Sequence, residues 1–283
     1  MKIVITGASG FVGSYFVHKY KDKHDFKTFS FLKDDFRALN VKDVDVVLHL
    51  SALVHQPKAL EDDYTKINID YTVALGQKAK EGGVKHFIFI STIAIYDTHL
   101  KYIDENSHVN PSTPYGRSKL EAEKKLQELE DECFTVSIIR PPMVYGYSAP
   151  GNIKSLNRLI DMLSILPLAE IDNKRSFVYI GNLCALIECI IQKQQRGIFL
   201  ASDDKALSTT QLIEAIAEAK QRSCWLVSLP FFPNLLKWLK PSFYKRLFES
   251  LEVDNCESKR LLGFENPYTV EEGIGYMVHG EKW

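Results

Sequence analysis

Residues Met1–Phe16 read MKIVITGASGFVGSYF, and this stretch decides the fold. Lys2–Thr6 is a short, continuously apolar run of the kind that forms a strand buried on both faces. It leads directly into Gly7-x-x-Gly10-x-x-Gly13, and the following residues predict a helix through about Tyr20. Each glycine has a reason at this spacing. The first permits a sharp turn, the second lets backbone approach a pyrophosphate, and the third lets the helix pack close against the strand. The helix N-terminus adds unpaired N–H groups and positive potential for phosphate. A glycine-rich turn without a ligand has the same spacing, so the rest of the chain must decide.

Working outward, strands are expected at Phe26–Leu32, Asp45–Leu50, His86–Ser91 and Thr135–Ile139. Between them lie helical segments at Tyr64–Glu81, with Ile67, Tyr71, Ala74, Leu75 and Lys78 near one face, and at Ser118–Glu130. This alternation predicts an α/β Rossmann-type doubly wound parallel sheet with a smaller C-terminal lobe that binds substrate. The dinucleotide-binding domain is expected over 1–147, with 176–202 returning to it, and the substrate-binding lobe over 148–175 and 203–283. In the second half, helices are expected at Ile153–Leu163, Leu183–Gln192 and Thr209–Lys220, and strands at Arg175–Ile180 and Gly197–Ala201. Trp225–Phe248 is aromatic, basic and broken by prolines. It reads first as a substrate lid or lobe packing and second as an amphipathic membrane contact.

The 283 residues sit near the upper limit for one compact core. With 35 basic and 36 acidic residues the net charge is −1, and no basic stripe is interleaved with aromatics, so nucleic acid is not an expected partner. Five scattered cysteines have no zinc spacing, which points to no metal and to reduced thiols in a cytoplasmic protein. The N-terminal apolar run of about four residues is shorter than the apolar core of a signal peptide. No apolar run approaches the about 18 residues of a membrane span, so no transmembrane segment is expected.

Tyr115-x-x-x-Lys119 places a phenol and an ammonium on one helix face. A tyrosine near pKa 10 must fall about three units for proton exchange at neutral pH, which needs about 4 kcal/mol of differential stabilisation. A nearby lysine contributes to that. An ordinary surface helix start after Pro114 is the alternative. Ser91-Thr92 stands where a parallel strand ends, so a hydroxyl there would either point into a ligand crevice and orient a substrate oxygen toward Tyr115 or simply cap a turn. The NAD-specific acid is expected at the end of the second strand. Here Asp34 and Asp35 arrive late, while Ser30 and Lys33 could meet a 2′-phosphate. The residues lean to NADP over NAD, with the two aspartates either beside adenine or simple turn residues.

T-G-A-S-G-F-V-G, H-L-S-A (His49–Ala52), F-I-F-I-S-T (Phe87–Thr92), P-Y-G-R-S-K-L-E-A-E (Pro114–Glu123) and R-P-P-M-V-Y-G (Arg140–Gly146) together resemble the extended short-chain dehydrogenase/reductases, the NAD-dependent epimerase/dehydratase family of nucleotide-sugar enzymes. The resemblance runs on through Arg175–Leu183 to Leu261–Ile274. It implies Thr92, Tyr115 and Lys119 as catalytic residues, with Thr92 ahead of Ser91, and Lys119 also on the ribose. It implies cofactor contacts from Gly7, Ser9, Gly10, Phe11, Val12, Gly13, Leu50, Ser51, Ala52, Ser91, Pro142 and Val144, and substrate contacts from Thr92, Asn152 and Arg175, the last on the nucleotide diphosphate. Asn182 stands where many members have Asp, and Ser51 where many have Ala. The implied substrate is a UDP-sugar of surface-polysaccharide synthesis. Similarity is greatest to UDP-4-keto-6-deoxy-N-acetylhexosamine 4-reductases, with UDP-sugar 4-epimerisation as the alternative and a non-catalytic NAD(P)-binding regulator third. A 4,6-dehydratase is disfavoured, since Ile93-Ala94 replace the expected acidic pair. The family also implies a homodimer through the Ser118–Glu130 helix.

Overall fold

The computed structural model describes residues 1–54 and 59–280. The first half contains β1 (Lys2–Thr6), α1 (Phe11–Tyr20), β2 (Asp25–Phe29), β3 (Val46–His49), α2 (Glu61–Tyr64), α3 (Tyr71–Glu81) and β4 (His86–Ile90). It continues through β5 (Tyr102–Ile103), α4 (Pro114–Glu128), β6 (Thr135–Arg140) and β7 (Met143–Tyr145). The second half contains α5 (Asn152–Met162), β8 (Ile165–Leu166), β9 (Phe177–Tyr179), α6 (Ile180–Lys193), β10 (Gly197–Leu200), α7 (Thr209–Ala219) and β11 (Trp225–Leu226). It ends with α8 (Phe232–Leu239), α9 (Pro241–Phe248), β12 (Glu252–Val253), α10 (Cys256–Leu262) and α11 (Val270–His279).

Six parallel strands form the central sheet in the order β2-β1-β3-β4-β6-β10. The apolar strands alternate between two cores. Ile3, Ile5, Val46, Leu48, Ile88 and Ile139 face α1 and α6, while Val4, Val47, Phe87, Phe89, Val136 and Ile138 face α3 and α4. Continuous apolar strands follow from burial on both faces. The chain leaves β1 for β2 on one side and returns to the other side for β3, so the winding direction reverses there. Thr6 lies level with Phe29 on one side and His49 on the other, so the strands end together and open a crevice at the reversal. That is where the site sits.

Two local expectations change. The second strand ends at Phe29 rather than Leu32, because Ser30–Asp34 closes a turn in which the amides of Lys33 and Asp34 donate to Ser30 O. The helix expected over Tyr64–Glu81 is interrupted by a π-helical turn at Thr65–Asp70. The wider turn rotates the buried row to Tyr64, Asn68, Thr72, Leu75 and Ala79, leaving Ile67, Tyr71 and Ala74 only half-buried.

The C-terminal lobe is fastened to the sheet through a buried polar knot. Asn182 donates to Asp203 Oδ1 (2.7 Å) and Tyr268 O (2.9 Å), and Tyr145 donates its hydroxyl to Asp203 Oδ2 (2.7 Å). Parallel two-stranded pairs β5–β12, β7–β9 and β8–β11 complete the lobe and its seam.

Candidate active site

The glycine turn joins β1 to α1 and is shaped by contacts that exclude side chains. Gly7 adopts φ +72°, and a Cβ there would lie 2.9 Å from Ser51 N. At Gly13 a Cβ would lie 2.2 Å from Gly7 O and 2.8 Å from Ala8 Cα, so only glycine lets α1 pack this closely. Gly10 differs: its φ is −77°, and a Cβ would meet only Gly7 O, at 3.1 Å. That contact is tight but far short of the 2.2 Å overlap at Gly13, so Gly10 is the less constrained of the two, and it is exposed at the open end of the turn. Ser9 and Gly10 are exposed, Phe11 and Val12 half-buried, and no side chain caps the α1 N-terminus. A cleft of about 520 Å³ opens here, lined in part by Ser9, Gly10, Phe11, Tyr147, Ser148 and Ile180. Thr92 and Tyr115 do not line it.

Leu50, Ser51 and Ala52 follow β3 across the face of Gly7, where the Ser51 amide donates to Thr6 Oγ1 (3.2 Å). Thr6 Oγ1 also bonds His49 Nδ1 (2.7 Å), and Thr72 Oγ1 bonds His49 Nε2 (2.9 Å). Burial holds this imidazole neutral, with a pKa lowered to about 3. Asn68, on the π turn, accepts from Leu53 N (2.7 Å) and donates to Leu53 O (3.0 Å) and Ser118 Oγ (2.9 Å). It clamps the β3 exit to α4.

At the end of β4, Ser91 is buried, and its Oγ has no hydrogen-bond partner in the described structure. Thr92 caps the short 3-10 turn Ile93–Ile95 by accepting from Ala94 N (3.1 Å). Three features bring α4 against that turn. Thr113 caps the helix by accepting from Gly116 N (3.0 Å), Pro114 occupies its first turn, and a Cβ at Gly116 would lie 2.4 Å from Ala94 O. Tyr115 is thereby seated in hydrogen-bond contact with Thr92. Burial pushes the phenol up to about 12, and the Thr92 bond offsets part of that rise.

Lys119, one turn further along α4, is 1% exposed, with Nζ 3.8 Å from the Phe89 ring centroid. Burial drives its pKa down to about 7 against the upward pull of Glu123. Glu123 is itself held by Arg140 through Nε (3.1 Å) and Nη2 (2.6 Å), and Arg140 Nη1 reaches Tyr96 OH (2.8 Å). Ile93 N donates to Pro141 O, tying the Thr92 turn to buried Pro142 and half-buried Val144 at the β6–β7 corner.

Past β2, Asp34 Oδ2 accepts from Ser30 N (2.7 Å) and Asp35 Oδ1 from Arg37 N (2.9 Å). Both carboxylates are engaged as local caps, while the side chains of Lys33 and Arg37 are exposed around the half-buried Ser30. In the lobe, Arg175 Nη1 donates to Glu249 O (2.9 Å) and Lys245 O (3.4 Å) at the end of α9. Arg246 donates to Asn152 Oδ1 (3.0 Å), and burial together with the charge of Arg246 lowers the pKa of Arg175. Two guanidiniums near enough to repel each other suit a doubly anionic ligand.

The fold thus brings Gly7–Gly13, Leu50–Ala52, Ser91, Thr92, Tyr115, Lys119, Pro142 and Val144 to one edge of the sheet, and gathers Asn152 and Arg175 in the lobe. The sequence reading missed Asn68, Glu123, Arg140 and Arg246. An asparagine within the apolar helical run I-N-I-D was the available signal for the first. The uncapped α1 amides beside the exposed Ser9–Gly10 turn suit the phosphates of a dinucleotide, and the Ser91 hydroxyl is left without a partner.

Comparison with known proteins shows the family of the chain. The profile of the NAD dependent epimerase/dehydratase family matches residues 3–200. The chain is 34% identical to a UDP-glucose 4-epimerase of Vibrio cholerae over 305 aligned positions, covering 96% of this chain and 93% of that one. It is 24% identical to the N-acetyl-alpha-D-glucosaminyl-diphospho-ditrans,octacis-undecaprenol 4-epimerase of Escherichia coli O157:H7, covering 99% and 95% of the two chains. Among solved structures, a UDP-glucuronic acid 4-epimerase of Bacillus cereus in complex with NAD superposes with a TM-score of 0.78 at 19% identity, over 99% of this chain and 98% of that one.

Proposed function

The chain belongs to the NAD-dependent epimerase/dehydratase family, and on that premise we propose that it reduces the C4 ketone of a UDP-hexose. A UDP-4-keto-6-deoxy-N-acetylhexosamine is the favoured substrate, and NADPH the favoured cofactor. The observation that carries this direction is the turn after β2. One oxygen of each of its carboxylates already accepts from a backbone amide, and the exposed Lys33 and Arg37 on the same turn support a reading in which it meets a 2′-phosphate. NADPH is the usual donor for net reduction.

A bound nicotinamide would supply the hydride. The chain's own groups do the rest. Tyr115 holds its proton at neutral pH, as a general acid must, and delivers it to O4 as charge develops there. Thr92 orients that oxygen toward Tyr115. Lys119, poised at about 7, positions the ribose and offers a positive charge that favours the phenolate left behind. Asn152, Arg175 and Arg246 hold the diphosphate of the UDP-sugar.

The 4-epimerisation of a UDP-hexose is the second reading, supported by the names of both sequence relatives. It uses the same residues and starts with Tyr115 as base, which must then fall from about 12 to near 7. That drop corresponds to about 7 kcal/mol of differential stabilisation. Purified protein mixed with UDP-4-keto-6-deoxy-GlcNAc and NADPH tests the choice. Stoichiometric loss of reduced-nicotinamide absorbance is expected. Interconversion of UDP-glucose or UDP-N-acetylglucosamine with its C4 epimer, without such loss, would replace reduction by epimerisation.

A further inference from the structure

Residues 219–248 carry Lys220, Arg222, Lys237, Lys240, Lys245 and Arg246 but no aspartate or glutamate, whereas the rest of the chain is net acidic, with 29 basic and 36 acidic residues. This stretch folds into β11 and the α8–α9 hairpin; Phe232, Leu247 and Phe248 pack against the core, while many of its other apolar side chains face outward. Phe231 is 84% exposed, Trp238 79% and Trp225 71%, with Leu229, Leu235, Leu239 and Phe243 also exposed. Neither α8 nor α9 contains a buried residue. Trp225 lies opposite Ile165 in the β8–β11 register, and exposed Ile165, Leu163 and Met162 extend the surface to the end of α5. Lys237 Nζ sits 5.4 Å from the Tyr244 ring and Lys240 Nζ 5.7 Å from the Phe243 ring, so ammonium groups flank the apolar surface. Scattered exposed leucines are ordinary in any soluble protein; a short helical hairpin that exposes Phe231, Leu235, Trp238, Leu239 and Phe243 beside two lysines is not.

We propose that the α8–α9 hairpin docks on an anionic phospholipid bilayer. Phe231 and Trp238 enter the interfacial layer, and Lys237 and Lys240 contact the headgroup phosphates. Tryptophan favours that depth because its ring is apolar and its N–H polar. Among the described residues no helix is long and apolar enough to cross a membrane, so the hairpin lies on the surface. Charge selects this occupant over a second copy of the chain. A symmetric contact through the same face would set Lys237 and Lys240 against their own copies, with no carboxylate in residues 219–248 to answer them.

The test is flotation of the full chain with vesicles of phosphatidylcholine alone and of phosphatidylcholine with phosphatidylglycerol. Binding is expected only to the anionic vesicles, with release at high salt. F231S/W238S should weaken partitioning at least about tenfold, and K237E/K240E at least about thirtyfold at low salt. These side chains lie outside the candidate active site, so both variants should keep wild-type turnover without vesicles. No flotation with anionic vesicles, or undiminished flotation of both variants, overturns the proposal. A concentration-dependent dimer that F231S/W238S abolishes, without vesicle binding, also overturns it and makes the hairpin a protein interface.

Discussion

Replacing Lys119 by methionine should stabilise the protein while abolishing its activity. Lys119 lies on the buried face of α4, and its pKa falls from 10.5 to about 7 because burial penalises the ammonium. The unfolded chain therefore binds more protons than the folded one between pH 7 and 10.5, and stability rises with pH across that window. Below pH 7 the whole penalty is present; above 10.5 it vanishes. At about 1.4 kcal/mol per unit, the ceiling is about 4 kcal/mol at pH 7 and about 2 kcal/mol at pH 9. Methionine keeps the unbranched length, and its sulfur can rest against Phe89. Glu123 is not orphaned, since Arg140 holds both its oxygens. Urea melts of wild type and K119M, run without nucleotide at pH 7, 8 and 9, measure the gap. The variant should be the more stable at pH 7, with the advantage shrinking as pH rises. A variant less stable than wild type at pH 7, or a gap independent of pH, would refute the reasoning.

Tyr115→Phe should leave nucleotide affinity intact and lower turnover at least about a hundredfold; near-wild-type turnover would remove the phenol from the chemistry. Gly10→Ala, whose Cβ would meet Gly7 O at 3.1 Å, should lose nucleotide binding with only a modest loss of stability, whereas Gly13→Ala should unfold at much lower urea, because its Cβ would meet Gly7 O at 2.2 Å. Calorimetric titration beside a thermal melt separates the two, and equal effects at both positions would contradict the assigned roles. K33A/R37A should raise the KM for NADPH at least about tenfold and leave that for NADH unchanged; equal shifts would mean that the turn does not read the 2′-phosphate. Arg140→Met leaves the Glu123 carboxylate buried without its partner, so denaturant melts should show a loss of about 3–5 kcal/mol. A loss below about 1 kcal/mol would mean that the carboxylate finds another partner or water.

The glycine turn could be read in the chain because its logic is local: strand, turn and helix are contiguous, and each glycine answers to a contact within the turn or to the strand beside it. Tyr115 and Lys119 could be read because helical spacing alone puts them on one face. The parallel sheet followed from apolar strands separated by helical segments. What escaped depends on contacts between distant residues. Nothing near Glu123 shows that Arg140 and Tyr96 will enclose it, and nothing near Arg246 announces Asn152 and Arg175. The π turn escaped because its apolar pattern resembles an ordinary helix; only the tertiary position of Asn68 shows the shift. The engagement of Asp34 and Asp35 as caps was among the readings left open, and it depended on whether the strand ended at Phe29 or ran on.

Arg175 has a fixed number of N–H groups, and one of its amino groups already closes the end of α9. A diphosphate arriving at the remaining donors would share a guanidinium with the carbonyls of Lys245 and Glu249. Where the diphosphate draws that guanidinium from the α9 carbonyls, substrate binding and the seating of the α9 end become linked equilibria. Nucleotide-sugar occupancy would alter how fast amides in residues 241–251 exchange with deuterium, even though that segment lies beyond the reacting carbon. In that sense a single side chain would report, at the outer edge of the lobe, whether the crevice at the sheet is in use.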